Sequence, residues 1–419
     1  MTTGAVEAST GRATTRWPLW AGLLALAWIA WRVLSLGQAD ALADRNPDAA
    51  LAWRGNQGDA LLNQAESRLA AKDLAGADTS AREALLADPM DGVAYRLLAD
   101  VARARGQPAE ALQRYELAAQ RAPRDLPSHG WLAAHYLQAG DYARLLAHID
   151  ALLRVEPELS RQIYPDLVRI AAMPPAQPSL LHVLQRQPPW RSGFVTLLAQ
   201  TVPDARSIAP LMEQLRHGTH SLADNELAAW LDRLIRDRQW GAAYLTWVAQ
   251  LPREKQHAIG NVFNGGFDWE PSNSGFGWRF DRVAGAHVDR AETPGAGNTY
   301  ALRIAFDNQR VPFSHVRQML ALTPGHYRLD GRARLDSLDT ELGLVWQLTC
   351  AESNRQLAST SPFLGNSPWH PFSIEFTVPD DGCGGQWLRL VLPARIPAEQ
   401  RIGGVAWFDD LKISRSPVP

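Results

Sequence analysis

The sequence predicts a multidomain α + β protein: an N-terminal transmembrane helix, an α-helical solenoid and a C-terminal antiparallel β-sandwich of the jelly-roll kind. Three observations predict it. Twenty consecutive residues, Trp17–Leu36, carry a single charge, Arg32. A 34-residue period runs through the middle of the chain. After Gly260 helical periodicity stops, and short alternating runs begin between Gly, Pro, Asn and Asp. The 419 residues suffice for two to three domains, and 46% apolar with 21% charged residues exclude wholesale disorder. A net charge of −2, from 42 basic against 44 acidic residues, offers no electrostatic reason to expect nucleic acid. Two cysteines cannot build a disulfide-rich scaffold or a four-cysteine zinc site.

The first element reads WPLWAGLLALAWIAWRVLSL. At 1.5 Å per residue it spans the roughly 30 Å bilayer core, with Arg32 snorkelling at its end. Trp17, Trp20, Trp28 and Trp31 lie towards the two ends, where indoles favour the interface. Two alternatives stand beside the anchor: a cleaved signal peptide, from the A-x-A pattern at Ala39-Asp40-Ala41, and a buried core helix. Arg12 and Arg16 on one side nearly balance Arg32 and Arg45 on the other, so orientation rests on Cys350 and Cys383, which form a disulfide only in an oxidising compartment. The expectation is a cytoplasmic tail of residues 1–16, an anchor at 17–36 and the body in the periplasm, on a single-pass protein of a bacterial inner membrane.

Residues 37–157 hold the repeat. Pro89, Pro123 and Pro157 are 34 apart, and the same step carries Ala84 to Ala118 to Leu152, Ala77 to Ala111 to Leu145, and Ala65 to Ala99 to Ala133. The fullest unit is Gly92–Asp125, with Tyr95, Leu98, Ala99 and Ala102 on one helix and Ala111, Tyr115, Ala118 and Pro123 on or after the next. This pattern resembles the tetratricopeptide repeat, with Leu61, Tyr95 and His129 where a Trp is usual. Small residues at the crossing let the helices approach, and Pro resets the chain between units. Such a stack offers a concave surface to a protein partner, or serves as a plain scaffold. Residues 158–259 stay helical but lose the period, cut by Pro174-Pro175, Pro178, Pro188-Pro189, Pro203 and Pro210 into degenerate hairpins. In Asp224–Gln250, Trp240, Tyr244 and Trp247 recur at three and four, the spacing of a packed core face.

Ten candidate strands fill residues 260–419, the first at Asn261–Phe267 and the last at Gly404–Ile413. Alternation is clear in Tyr300, Leu302, Ile304, Phe306 and in Phe372, Ile374, Phe376, Val378. The series Asn264-Gly-Gly-Phe267-Asp268, Gly277-Trp278, Tyr300-Ala-Leu-Arg-Ile304 and Trp407-Phe-Asp-Asp-Leu411 resembles a carbohydrate-binding module of the family 4/9 type. That resemblance implies a sugar-binding jelly roll and a structural calcium ion held by Asp268 and Asp410, with Asp268 standing where Glu is usual.

No catalytic motif is present: no H-E-x-x-H, G-x-S-x-G or phosphate-binding glycine loop. A glycosidase needs two carboxylates several ångströms apart in a cleft; Asp380-Asp381 and Asp409-Asp410 are available, but the first pair sits in a turn and the second fits a structural role. Sugars instead stack apolar C–H faces on indoles while hydroxyls take polar partners. Trp269 and Trp369 lie at loop-like positions, and Trp346 on a central strand is a candidate to line the concave face with Gln347 and Arg332 or Arg334 near it; for each of the three a core position is the alternative, and the favoured one. Trp278 and Trp387 are read as core. Cys350 ends a candidate strand and Cys383 sits in the turn of residues 380–385, so the two are expected to pair, with two reduced thiols as the alternative. The whole reads as a non-enzymatic scaffold or adaptor that binds a protein through its repeats and polysaccharide through the jelly roll, with no cofactor required. That architecture is similar to accessory proteins of bacterial exopolysaccharide synthesis and export. A glycan-processing enzyme with an unrecognised carboxylate site and a pure protein-assembly scaffold are the alternatives.

Overall fold

The computed structural model describes residues 17–293 and 300–416, with the side chains of residues 17–21 and 23 also outside the description. It forms two units: Met1–Ile170 with Pro175–Trp190, and Ala171–Pro174 with Arg191–Pro419.

In the first unit α1 (Trp17–Ala43) and α2 (Pro47–Trp53) precede three helix pairs: α3 (Gly58–Ala70) with α4 (Leu74–Ala87), α5 (Gly92–Ala104) with α6 (Pro108–Arg121), and α7 (Leu126–Ala139) with α8 (Tyr142–Val155). First helices begin at 58, 92 and 126 and second helices at 74, 108 and 142, a step of 34 each time. Asp73, Asp91, Asp125 and Asp141 cap helix starts by accepting backbone N–H groups, and Pro89 and Pro123 sit in the turns between pairs. Ala65, Ala81, Ala94, Ala99, Ala111 and Ala118 are all fully buried, as small residues at helix crossings must be. Gly92 is the extreme case: a Cβ there would stand 2.5 Å from the Cβ of Ala122 and 2.6 Å from its backbone nitrogen. The pairs fit a repeat solenoid. Two further helices, α9 (Ser160–Ala171) and α10 (Gln177–Gln185), follow without the period.

The helix expected at 17–36 is longer, running 27 residues to Ala43. Among the described residues no helix is long and apolar enough to cross a membrane. Its character changes along its length. Leu24, Leu26, Trp28, Ile29, Trp31, Val33 and Leu34 are exposed, whereas Ala39 and Ala43 are buried and Asp40 accepts a hydrogen bond from Gln57 Nε2 at 3.1 Å. Ala39-Asp40-Ala41 thus lies inside the helix. Trp17 and Trp20, as side chains, and the tail of residues 1–16 fall outside the described residues.

The second unit begins with α11 (Arg191–Thr201), α12 (Ala209–His217), α13 (Asp224–Arg236), α14 (Trp240–Val248) and the single turn α15 (Arg253–Gln256). A buried ion pair ties α11 to α13: Arg191 Nη2 meets Glu226 Oε2 at 2.9 Å and Nε meets Oε1 at 3.1 Å. Ten strands follow: β1 (Trp278–Phe280), β2 (Ala286–Glu292), β3 (Tyr300–Arg310), β4 (Val316–Leu320), β5 (Gly325–Thr340), β6 (Val345–Cys350), β7 (Gln356–Ser359), β8 (Gly365–Val378), β9 (Gln386–Val391) and β10 (Arg401–Arg415). They make two five-stranded sheets, β1-β4-β9-β6-β7 and β2-β3-β10-β5-β8, in which every pairing is antiparallel. Between them lies one core, with Trp278, Trp346, Leu388 and Leu390 from the first sheet against Ile304, Leu329, Ala333 and Phe408 from the second.

Three differences from expectation have physical causes. Asn261–Phe267 is not a strand, because Asn264 (φ 52°) and Phe267 (φ 53°) take left-handed backbone. This segment is held by side-chain and bulge contacts instead. Gln318 Nε2 donates to Phe263 O at 2.8 Å, and Leu411 N donates to Gly265 O at 2.9 Å, where a Cβ on Gly265 would stand 1.8 Å from the Leu411 carbonyl oxygen. The four-residue edge strand β7 gives too short a pattern to read. Finally, the units divide before Arg191, not at the composition change near Gly260. The aromatics of α14 close on the sandwich: Trp247 meets Phe263 at 5.0 Å and Tyr244 meets Phe276 at 5.1 Å, both edge to face, while Trp240 Nε1 donates to Glu352 Oε1 at 3.1 Å.

Candidate functional site

The outward positions of each sheet follow from strand alternation. In β10, Ala406 and Phe408 point into the core, which sends Trp407 outward. Register then places Asp289, Arg303, Trp407 and Arg334 side by side across β2, β3, β10 and β5. Trp369 joins them from β8, beside a register shift opposite Ala333–Leu335. The guanidiniums beside the two rings each have a carboxylate: Arg303 with Asp289 at 3.3 Å, Arg332 with Asp410 at 3.1 Å and Arg334 with Asp336 at 3.1 Å, and farther along β5 Arg328 pairs with Asp330 at 3.0 Å. Trp407 Nε1 donates to Asp336 Oδ2 at 3.0 Å. Arg303 lies 5.7 Å from the Trp407 ring centroid and Arg332 lies 5.3 Å from that of Trp369. Both distances lie within the roughly 6 Å of a cation–π contact, so each ring carries an arginine, and both rings are half-buried, so part of each stays exposed to solvent.

The first sheet presents a different row. Arg279, Arg317, Arg389, Gln347 and Ser359 are cross-strand partners on β1, β4, β9, β6 and β7. Trp387, one step along β9, has the guanidinium carbons of Arg389, Arg317 and Arg279 at 5.2, 5.4 and 5.9 Å from its ring centroid. Arg279 pairs with Asp232 of α13 at 2.6 Å and Arg317 with Asp281 at 3.0 Å. Among the described residues Arg389 has no such partner, and its buried Nε donates to nothing. Burial first, then repulsion from Arg317, pushes its pKa below the ordinary arginine value.

Of the residues singled out in the sequence, Trp369, Arg332 and Arg334 share the second sheet's outer face, and Gln347 lies on the first sheet's. Trp346 does not line a face. It is fully buried between Trp278 at 5.7 Å and Phe408 at 5.4 Å. The cause is the two-residue period: Trp346 shares the inward register of Leu348 and Cys350, so its neighbour Gln347 must point out. Trp269 is half-buried, 6.4 Å from Phe263 and 5.3 Å from His257. Trp278 is core, its Nε1 donating to Asn264 O at 3.0 Å. Trp387, read as core, is instead a half-buried outward residue. Outward Trp387 and Trp407 were readable from alternation, since Leu388 and Leu390, or Ala406 and Phe408, already claim the inward positions. Cys350 and Cys383 form a disulfide.

The residues do not fit a calcium site built on Asp268 and Asp410. Asp410 is committed to Arg332, and the Asp268 carboxylate is exposed. The carbonyls a cation would need are taken, since Arg290 Nε donates to Phe267 O at 2.7 Å and Nη2 to Asp268 O at 2.6 Å. Among the described residues no three His, Cys, Asp or Glu side chains group to hold a metal.

No family model and no curated protein matches the chain. Solved structures resemble its C-terminal β-sandwich. A family 4 carbohydrate-binding module is 18% identical, covering 37% of this chain and 99% of its own, with a TM-score of 0.28. A family 61 module solved with β-1,4-galactotriose is 16% identical over 38% and 99%, TM-score 0.28. The xylan-binding domain CBM22-1 of Paenibacillus barcinonensis Xyn10C is 10% identical over 34% and 87%, TM-score 0.25. At such scores the likeness carries no argument about what this chain binds.

Proposed function

We propose that the chain is a non-enzymatic glycan-binding scaffold whose β-sandwich holds polysaccharide on the outer face of the second sheet. One observation carries the reading: Trp407 and Trp369 keep ring surface open there, among three arginines and three aspartates that are already neutralised in pairs. Indoles supply apolar platforms for sugar rings, and paired guanidinium and carboxylate groups offer hydrogen bonds to hydroxyls without a net charge. In this reading the exposed apolar residues of α1 serve as a membrane anchor, and the Cys350–Cys383 disulfide puts the body in an oxidising compartment, the periplasm of a bacterial inner-membrane protein. The tetratricopeptide-like helix pairs would then offer their surface to a protein partner, within exopolysaccharide synthesis or export.

Retention of the detergent-solubilised full chain on neutral polysaccharides tests the glycan reading. Trp407→Ala and Trp369→Ala are each expected to weaken retention about two- to tenfold, the effect of about 0.5–1.5 kcal/mol per aromatic contact. If the unaltered chain is retained on no glycan across a broad array, a pure protein scaffold replaces this reading. A C-terminal alkaline phosphatase fusion tests the anchor; it should be active and membrane-bound, and an inactive fusion would reverse the topology.

A further inference from the structure

We infer that the outer face of the first sheet is a second site, which takes a carboxylate-bearing sugar of the uronic acid class on Arg389, with Gln347 and Ser359 receiving neighbouring hydroxyls. The inference rests on the glycan reading above and adds a charge requirement to it.

The argument starts from a cost. Like charges directly opposite each other on neighbouring strands destabilise a sheet. Here Arg317 stands between Arg279 and Arg389 in one register row, so two such contacts occur in succession. Asp232 and Asp281 offset two of the three charges. No carboxylate offsets the third: half-buried Arg389 has the Trp387 ring at 5.2 Å, which it shares with Arg317 and Arg279, and its Nε, like theirs, donates to nothing. A desolvated cation beside another cation is unfavourable in the free protein, and an anion delivered by a ligand removes that penalty.

The number and kind of groups narrow the ligand. One uncompensated positive charge matches a singly charged carboxylate better than a doubly charged phosphate, and the planar guanidinium fork matches carboxylate geometry. Beyond Arg389 the same row continues with neutral Gln347, whose amide already bonds Gln356 at 2.8 Å, and with Ser359, both half-buried. Neighbouring strands are about 4.8 Å apart, so the row offers an anion contact and then hydroxyl partners in a line. An extended acidic glycan meets that order of groups.

The test compares binding of the full chain to soluble polygalacturonate and to the same polymer after carboxyl reduction. The acidic polymer is expected to bind at least tenfold more tightly at low salt, and the preference should shrink as salt screens it. Arg389→Gln should erase the preference while leaving retention on neutral glycan unchanged, and Arg389→Lys should restore part of it. Without ligand, Arg389→Gln should melt at or above the unaltered protein, because it removes an unpaired, repelled cation. A fall of several degrees would make Arg389 a structural residue and overturn the inference. Equal binding of the two polymers would overturn the charge requirement alone. Binding of neither, together with no neutral retention, would overturn the glycan reading as well.

Discussion

The two outer faces of the β-sandwich use the same residue types to opposite electrostatic ends. On the second sheet three arginines meet three aspartates, and an indole N–H joins one of the pairs. On the first, three arginines gather round Trp387 with two aspartates among them. Around Trp407 and Trp369 each guanidinium has its carboxylate, which leaves the exposed parts of the rings as the available surface. The cluster round Trp387 is one anion short. An inventory of Trp and Arg along the sequence could not separate these cases, because the distinction lies in whether each charge has a partner.

Charge closure can be broken at graded depths, and the largest effect is expected where closure is most complete. Glu226→Ala leaves Arg191 buried without its carboxylate and should lower unfolding free energy by about 3–5 kcal/mol, read from the denaturant midpoint of the full chain. Next is the disulfide, which secures the end of β6, the strand that carries Gln347. Its cysteines are 33 residues apart, and a chain-entropy estimate makes reduction cost about 3.7 kcal/mol, read as a lower melting temperature in reductant.

A third prediction uses a place where charge is excluded. His129 Nδ1 and His148 Nδ1 lie 2.9 Å apart between α7 and α8, with Glu116 and Asp125 the nearest acids. Burial, and then His129, hold His148 down at about 4 from its ordinary 6.5. The unfolded chain therefore binds the proton first, so stability is full above pH 6.5 and declines as pH falls towards 4. His148→Asn should flatten that part of the melting-temperature profile. The smallest effect belongs to the half-exposed pairs: Asp336→Asn should cost about 0.2–1 kcal/mol, a shift of a degree or two in a thermal melt.

The repeat was legible because its cause is local. Turn prolines and crossing alanines recur at a fixed step, and the helices start at that step. The site was legible only in part. Trp346 and Gln347 are adjacent on one strand, so they cannot both face outward, and the two-residue period contained the answer. Asn261–Phe267 reads as the first strand, yet left-handed backbone at Asn264 and Phe267 makes it a turn bound to β10 through Gly265. The contact of Trp240 with Glu352 joins residues 112 apart, and no periodicity in either segment announces it.

That contact governs how the sandwich can be cut free. A fragment starting at the composition change near Gly260 would lose Trp240, Tyr244 and Trp247, and so bare Phe263 and Phe276 to water. It would also uncover the Gly384–Gly385 backbone, on which the Trp240 ring rests so closely that a Cβ at either glycine would stand 2.6 or 2.7 Å from it. Aromatic rings and a bare glycine pair at one end invite self-association, so such a fragment is expected to aggregate on expression. A fragment from Arg191 onward retains the helix that covers this end, and it should remain monodisperse at the concentrations a binding titration requires.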